Sequence, residues 1–144
     1  MSVFLPDVNV LLALVTEGHV SHEKVKRWFQ KSGSRQWATC PLTEAGFVRI
    51  ASNPKFSEDP LDIGEALEML KLLTKNEGHD FWPVDIAFSE AVQPVSPRLF
   101  GHRQVMDAYL LGLAIHKNGT LVTLDGALRT LAGREFGNHL LCLE

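Results

Sequence analysis

Cysteine is scarce in this chain: 144 residues hold only Cys40 and Cys142. The two form no close pair and match no metal-ligand spacing, which excludes a cysteine-rich zinc site and a dense disulfide framework. Two buried thiols in a cytoplasmic protein are expected instead. Long apolar runs are also missing. Val8 to Val15 is broken by Asn9 and Tyr109 to Ile115 by Gly112; both fall short of the ~18 apolar residues a membrane span needs. The start, Met1 to Asp7, has no basic flank and no cleavage-like stretch, so no signal peptide is expected. There is no basic excess: the net charge is −3. That argues against a tight, passive nucleic-acid binder, but not against an enzyme that meets nucleic acid through bound cations. No glycine-rich phosphate loop is present, and no Ser–His–Asp or Cys–His arrangement follows from spacing. Without repeats, low-complexity tracts or a linker, residues 1–144 read as one domain, large enough to bury a core.

What is there alternates. Val3-Phe4-Leu5 reads as a short buried strand ending at Pro6-Asp7, and Val8 to Val15 as a helix closed by Gly18. Val25, Trp28 and Phe29 keep helical spacing between about Ser21 and Lys31. Trp37 to Cys40 is a second strand, followed by a helix that Thr43 can cap and that carries Glu44, Phe47, Val48 and Ile50. Asn53-Pro54 breaks it. Asp62 to Glu77 gives the clearest helix, with an apolar stripe of Ile63, Ala66, Leu67, Leu70, Leu73 and Thr74. Asp80 to Asp85 can be a strand, and Pro83 places it at an edge. A short helix from Phe88 to Val92 and an irregular run from Pro94 to Gly101 follow. The helix from about Arg103 to Lys117 is expected to bury Met106, Tyr109, Leu110, Leu113 and Ala114. Thr120 to Leu124, Gly126 to Leu131 and His139 to Leu143 then read as strand, helix and strand. Such alternation implies a parallel sheet covered on both faces.

Four carboxylates, Asp7, Glu44, Asp107 and Asp125, sit where these elements hand over. Singly, each has an ordinary explanation. Asp7 can cap the first helix. Glu44 and Asp107 fall in first turns, where the helix dipole favours negative charge. Asp125, before Gly126, suits a turn. Together they point elsewhere, because in open α/β sheets ligands bind outside the carboxyl ends of the strands. Two carboxylates ~5 Å apart repel by roughly 3 kcal/mol at an effective dielectric of 20. Protonation or a hard divalent cation must compensate. Such a site can activate water and stabilise the leaving oxygen of a phosphodiester.

Neighbouring residues fit the same pocket. Asn9, two after Asp7, can orient a carboxylate or be a plain first-turn residue. Thr123, two before Asp125, points to the same side of its strand. His102 and Arg103 lie in a Gly-led loop just before Asp107, suited to phosphate contact or to surface packing. Lys24, Lys26, Arg27, Lys31 and Arg35 form a basic group that reads as a solvated helix face or a phosphate-facing patch. His19 and His22 lack a third ligand nearby, and His116 suits a helix C-terminus. Trp28, Trp37 and Trp82 are expected in the core.

The order Asp7-Val8-Asn9, Thr43-Glu44, Asp107-Ala108 and Thr123-Leu124-Asp125 resembles that of the PIN-domain nucleases. The stretches Cys40 to Arg49 and Gly101 to Tyr109 resemble the VapC-type ribonuclease toxins of bacterial toxin–antitoxin modules. The resemblance spans nearly the whole chain. It implies a three-layer α/β/α sandwich around a mostly parallel sheet of about five strands. It also implies Mg²⁺- or Mn²⁺-dependent endonucleolytic cleavage of RNA. Asp7, Glu44, Asp107 and Asp125 would be the catalytic acids, with Asp7, Asp107 and Asp125 holding metal and Asn9 and Thr123 beside them. The family further implies homodimers and a cognate antitoxin whose tail occupies the acidic groove, where an arginine would reach the carboxylates. One departure is visible: many relatives carry an acidic or polar residue just after the fourth acid, where this chain has Gly126-Ala127-Leu128. That bears on whether a second metal binds.

The leading expectation is therefore a metal-dependent ribonuclease in which Asp7 helps activate the water. Two other readings compete with it. A haloacid-dehalogenase-like phosphohydrolase would use Asp7 as nucleophile, but wants an acid where Asn9 stands. A non-catalytic RNA-binding or antitoxin-docking module should have lost some of the acids, and none is missing.

Overall fold

The computed structural model describes residues 2–56 and 58–143. Its strands are short: β1 (Phe4–Pro6), β2 (Trp37–Thr39), β3 (His79–Phe81), β4 (Thr120–Thr123) and β5 (Leu140–Cys142). They form one sheet in the order β3-β2-β1-β4-β5, and every pairing is parallel. Seven helices connect them among the described residues: α1 (Val8–Val15), α2 (His22–Lys31), α3 (Pro41–Ala51), α4 (Ile63–Thr74), α5 (Phe88–Val92), α6 (Val105–His116) and α7 (Leu128–Ala132).

The pleat sorts each strand's side chains between two apolar layers. Leu5, Ala38 and Leu121 pack under α5, α6 and α7, against Ala91, Leu111 and Leu128. On the opposite face Phe4 and Val122 meet Val10, Ala13 and Val25 of α1 and α2, while Trp37 meets Leu11, Phe47 and Leu70 of α1, α3 and α4. The result is a three-layer α/β/α sandwich on a five-stranded parallel sheet. Helix α6 is deeply enclosed along its middle, with Ala108 through Ala114 all buried. It crosses α5 so closely that a Cβ on Gly112 would collide with the carbonyl oxygen of Ala91.

Several local expectations are corrected. Thr43 is not the cap of α3. Cys40 is, Pro41 takes the first helical position, and the Thr43 hydroxyl reaches back to accept the Cys40 N–H at 3.0 Å. Proline is tolerated there because that N–H has no helical partner in any case. Helix α4 opens with the reciprocal Asp62–Glu65 capping box, but only part of its stripe is buried. Met69, Leu70 and Leu73 seat against Phe47, Val48 and Ala51, whereas Ile63 and Leu67 lie outside that contact and are 62% and 44% exposed. Strand β3 stops at Phe81, two residues before Pro83, and lies at an edge as expected. Met106 is exposed rather than buried, because the first turn of α6, with Val105 also exposed, follows the unburied 3₁₀ turn His102–Gln104 and is left uncovered among the described residues. Cys40 is buried, but Cys142 is only half-buried, since β5 is the other edge strand.

Candidate active site

The sheet order fixes where a cleft can open. From β1 the chain moves outward through β2 to β3, then returns to place β4 and β5 on the other side of β1. The order therefore reverses between β1 and β4. At such a reversal the connections leave in opposite directions and part the ends of the strands. Asp7 follows the last residue of β1, and Thr123 is the last residue of β4. The Asp7 N–H donates to the Val122 carbonyl at 2.9 Å, which ties the two strand ends together.

Asp7 does the ordinary work of a cap: its Oδ1 accepts the Val10 N–H at 3.0 Å. It does so while buried, with 8% of its surface exposed. Burial pushes its carboxyl up to about 6. The Val10 N–H and the Thr123 hydroxyl oppose that rise, and the charges of Asp107 and Asp125 add to it. Asp107, half-buried in the first turn of α6, is raised by burial and then by Asp125. Asp125 is exposed in the turn after β4. Its N–H donates to the Thr123 hydroxyl at 3.0 Å, and its Oδ1 accepts the Ala127 N–H at 2.9 Å. Thr123, fully buried, thus serves both Asp7 and Asp125.

Asp7 thus feels the charges of Asp107 and Asp125, and Asp107 that of Asp125. As placed, no three His, Cys, Asp or Glu side chains among the described residues are close enough to hold a single ion together. The donors still suit a hard divalent cation in kind. All are carboxylates, two have raised proton affinities, and a cation would relieve the repulsion that raises them.

Glu44 is placed differently. It follows β2 in the first turn of α3, on the same edge of the sheet, but its carboxylate is engaged by Thr39. The Thr39 hydroxyl donates to Glu44 Oε2 at 2.6 Å and lies 2.7 Å from His79 Nε2. Burial holds the His79 imidazole below its ordinary value, opposed by the charges of Glu44 and then Asp80. Sequence reasoning missed both Thr39 and His79. Thr39 ends β2 as Thr123 ends β4, so its position was a usable signal. His79 was not signalled, because its place depends on the register of β2 with β3.

The remaining candidates stand further off. Asn9 is exposed and lines a groove of about 670 Å³ with Leu12, Thr16, Ile50, Phe56 and Met69, a groove that includes none of the four acids. His102 and Arg103 are exposed in the turn leading to α6. Lys24, Lys26, Arg27, Lys31 and Arg35 are all exposed. His22 Nδ1 bonds to the Ala13 carbonyl at 2.7 Å and His19 Nδ1 accepts the Ser21 N–H at 3.0 Å, so both hold local backbone.

Residues 4–134 match the PIN domain family. The chain is 42% identical over 128 residues to ribonuclease VapC38 of Mycobacterium tuberculosis, covering 89% of each. It is 37% identical over 133 residues to ribonuclease VapC29 of the same species, covering 92% of each. Among solved structures, a toxin–antitoxin complex from Klebsiella pneumoniae superposes with a TM-score of 0.65 at 16% identity, covering 97% of each chain. VapBC2 from Rickettsia felis, bound to a DNA fragment from its promoter, gives 0.63 at 12% and 99% coverage. The chain belongs to the PIN-domain family. Within that family it falls with the VapC proteins, on identity to curated relatives over most of both lengths.

Proposed function

We propose that the protein is a Mg²⁺- or Mn²⁺-dependent endoribonuclease and the toxin of a toxin–antitoxin pair. The observation that carries the reading is a buried Asp7, capping α1 at the reversal of the sheet and within reach of the charges of Asp107 and Asp125, in a chain whose relatives are named ribonucleases. Asp7, Asp107 and Asp125 would hold the cation. When bound, it supplies positive charge for the carboxylates and Lewis acidity toward an RNA phosphodiester.

The protein's own groups have distinct tasks. The Val10 N–H holds Asp7 at 3.0 Å, and the Thr123 hydroxyl favours its ionised form. Burial and the neighbouring charges raise the proton affinity of Asp7 to about 6, so a nearby positive charge would favour its ionised form. Asp125, exposed on its turn, faces incoming substrate and solvent more than Asp7 does. Glu44 supplies a further carboxylate on the same edge, oriented by Thr39. His102 and Arg103, on the exposed turn before Asp107, would contact the RNA backbone. The antitoxin, a homodimeric state and a cytoplasmic location belong to the same proposal. No helix among the described residues is long and apolar enough to cross a membrane.

Cleavage of total RNA by purified protein tests this reading. Asp7→Asn and Asp107→Asn should each lower the rate by at least about 100-fold, about 2.7 kcal/mol of barrier, with circular dichroism unchanged. Retained cleavage in both folded variants would reject the assignment.

A further inference from the structure

We infer that His79 is a positioning residue for the reaction, acting on Glu44 through the buried hydroxyl of Thr39; this rests on the ribonuclease reading above. The argument is an accounting of hydrogens. A threonine hydroxyl has one proton to give. That of Thr39 goes to Glu44 Oε2 at 2.6 Å. Its oxygen is then an acceptor toward His79 Nε2, 2.7 Å away, so the ring must carry its proton on Nε2 and donate it. The chain of bonds runs His79 Nε2–H to Thr39 Oγ1, and Thr39 Oγ1–H to Glu44 Oε2.

Each member is held from a different element. Thr39 ends β2 and is fully buried. His79 opens β3, and its ring stands edge-on to Trp37 with centroids 4.7 Å apart. Register places His79 directly opposite Trp37, so the β2–β3 pairing brings the imidazole to Thr39. Glu44 sits in the first turn of α3. The long, flexible glutamate side chain is thereby restrained at Oε2. Hydroxyl-to-carboxylate bonds of this length are charge-assisted and strong. Partners of this kind commonly change activity about 10- to 100-fold when removed. Edge strand β3 therefore contributes to the chemistry without lining the group of three aspartates.

The test uses the full chain, a short RNA segment spanning a site that the wild type cuts in total RNA, and saturating Mn²⁺. His79→Ala and Thr39→Val are each expected to lower kcat about tenfold or more with KM changed less than about twofold. His79→Gln, which restores an N–H near the Nε2 position, is expected to recover most of the loss. The double variant His79→Ala/Thr39→Val should be no slower than the worse single one, because both act through one carboxylate. A second readout needs no activity: ¹⁵N resonances of the metal-free protein should show a neutral His79 ring protonated at Nε2. An unchanged kcat in His79→Ala, additive losses in the double variant, or a ring protonated at Nδ1 alone would each overturn the inference. Cleavage by the wild type in those same assays keeps the ribonuclease reading intact. A wild type as inactive as Asp7→Asn overturns that reading, and the positioning role with it.

Discussion

Asp7 carries two conflicting demands. As a helix cap it is well placed; as a buried carboxylate beside two others it is costly to ionise. The cost has a definite sign. Its carboxyl moves from 3.8 to about 6 on folding, so the folded state holds the proton more tightly than the unfolded chain. Below pH 3.8 both states are protonated and the cost is absent. It grows as pH rises from about 4 to 6, up to about 3 kcal/mol. Asparagine caps helices as well as aspartate and carries no charge. Asp7→Asn is therefore expected to gain stability relative to wild type as pH rises from 4 to 7 in metal-free buffer, while losing cleavage. Urea denaturation across that range measures it, and a pH-independent difference would contradict the assignment. The sequence already showed Asp7, Asp107 and Asp125 as candidates, because acids at strand-to-helix handovers are visible by position. It did not show that Glu44 would be engaged by Thr39 and His79. That depends on β2 and β3 being neighbours in this register, and the pairing of strands forty residues apart cannot be read from either segment alone.

Helices and strands divide the labour of placing the site. Helix α1 is capped by the acid it presents, α3 begins three residues before Glu44, and α6 carries Asp107 in its first turn. Most of these elements were legible, since buried strands alternate with amphipathic helices. The errors fell where local chemistry was ambiguous. Thr43 and Cys40 both stood near the start of α3, and only the hydrogen bonds distinguish cap from third residue. Met106 followed the apolar period of α6 but lies in its uncovered first turn. Two substitutions separate element stability from chemistry. Asp62→Ala removes the α4 capping box, which includes none of the four acids, and should cost about 1 kcal/mol with cleavage per folded molecule unchanged. Gly112→Ala places a methyl against the Ala91 backbone carbonyl at the α5–α6 crossing. It should cost about 1–3 kcal/mol, read by thermal melting, because neither helix backbone can yield cheaply.

For the molecule as a whole, topology brings distant residues to one place. Asp7 and Asp125 are separated by most of the chain, yet β1 and β4 are hydrogen-bonded neighbours whose ends are joined by Asp7 N–H and Val122 O. That geometry follows from the strand order, which the alternation of elements implied only as a class. The net charge of −3 is consistent with a protein that meets RNA through cations. Cation binding should also stabilise the fold by linkage, about 2.7 kcal/mol at 100 times the dissociation constant. Mn²⁺ should thus raise the melting temperature of the wild type by several degrees and that of Asp107→Asn by less. Equal shifts in the two would place the cation elsewhere. The most direct measurement is cleavage of total RNA by the wild-type protein with Mn²⁺ or Mg²⁺, with EDTA, and with metal restored after EDTA. Discrete fragments that vanish with EDTA and return with metal are the expected result. Fragments that persist undiminished in EDTA, or a wild type that never cuts more than Asp7→Asn, would contradict the account.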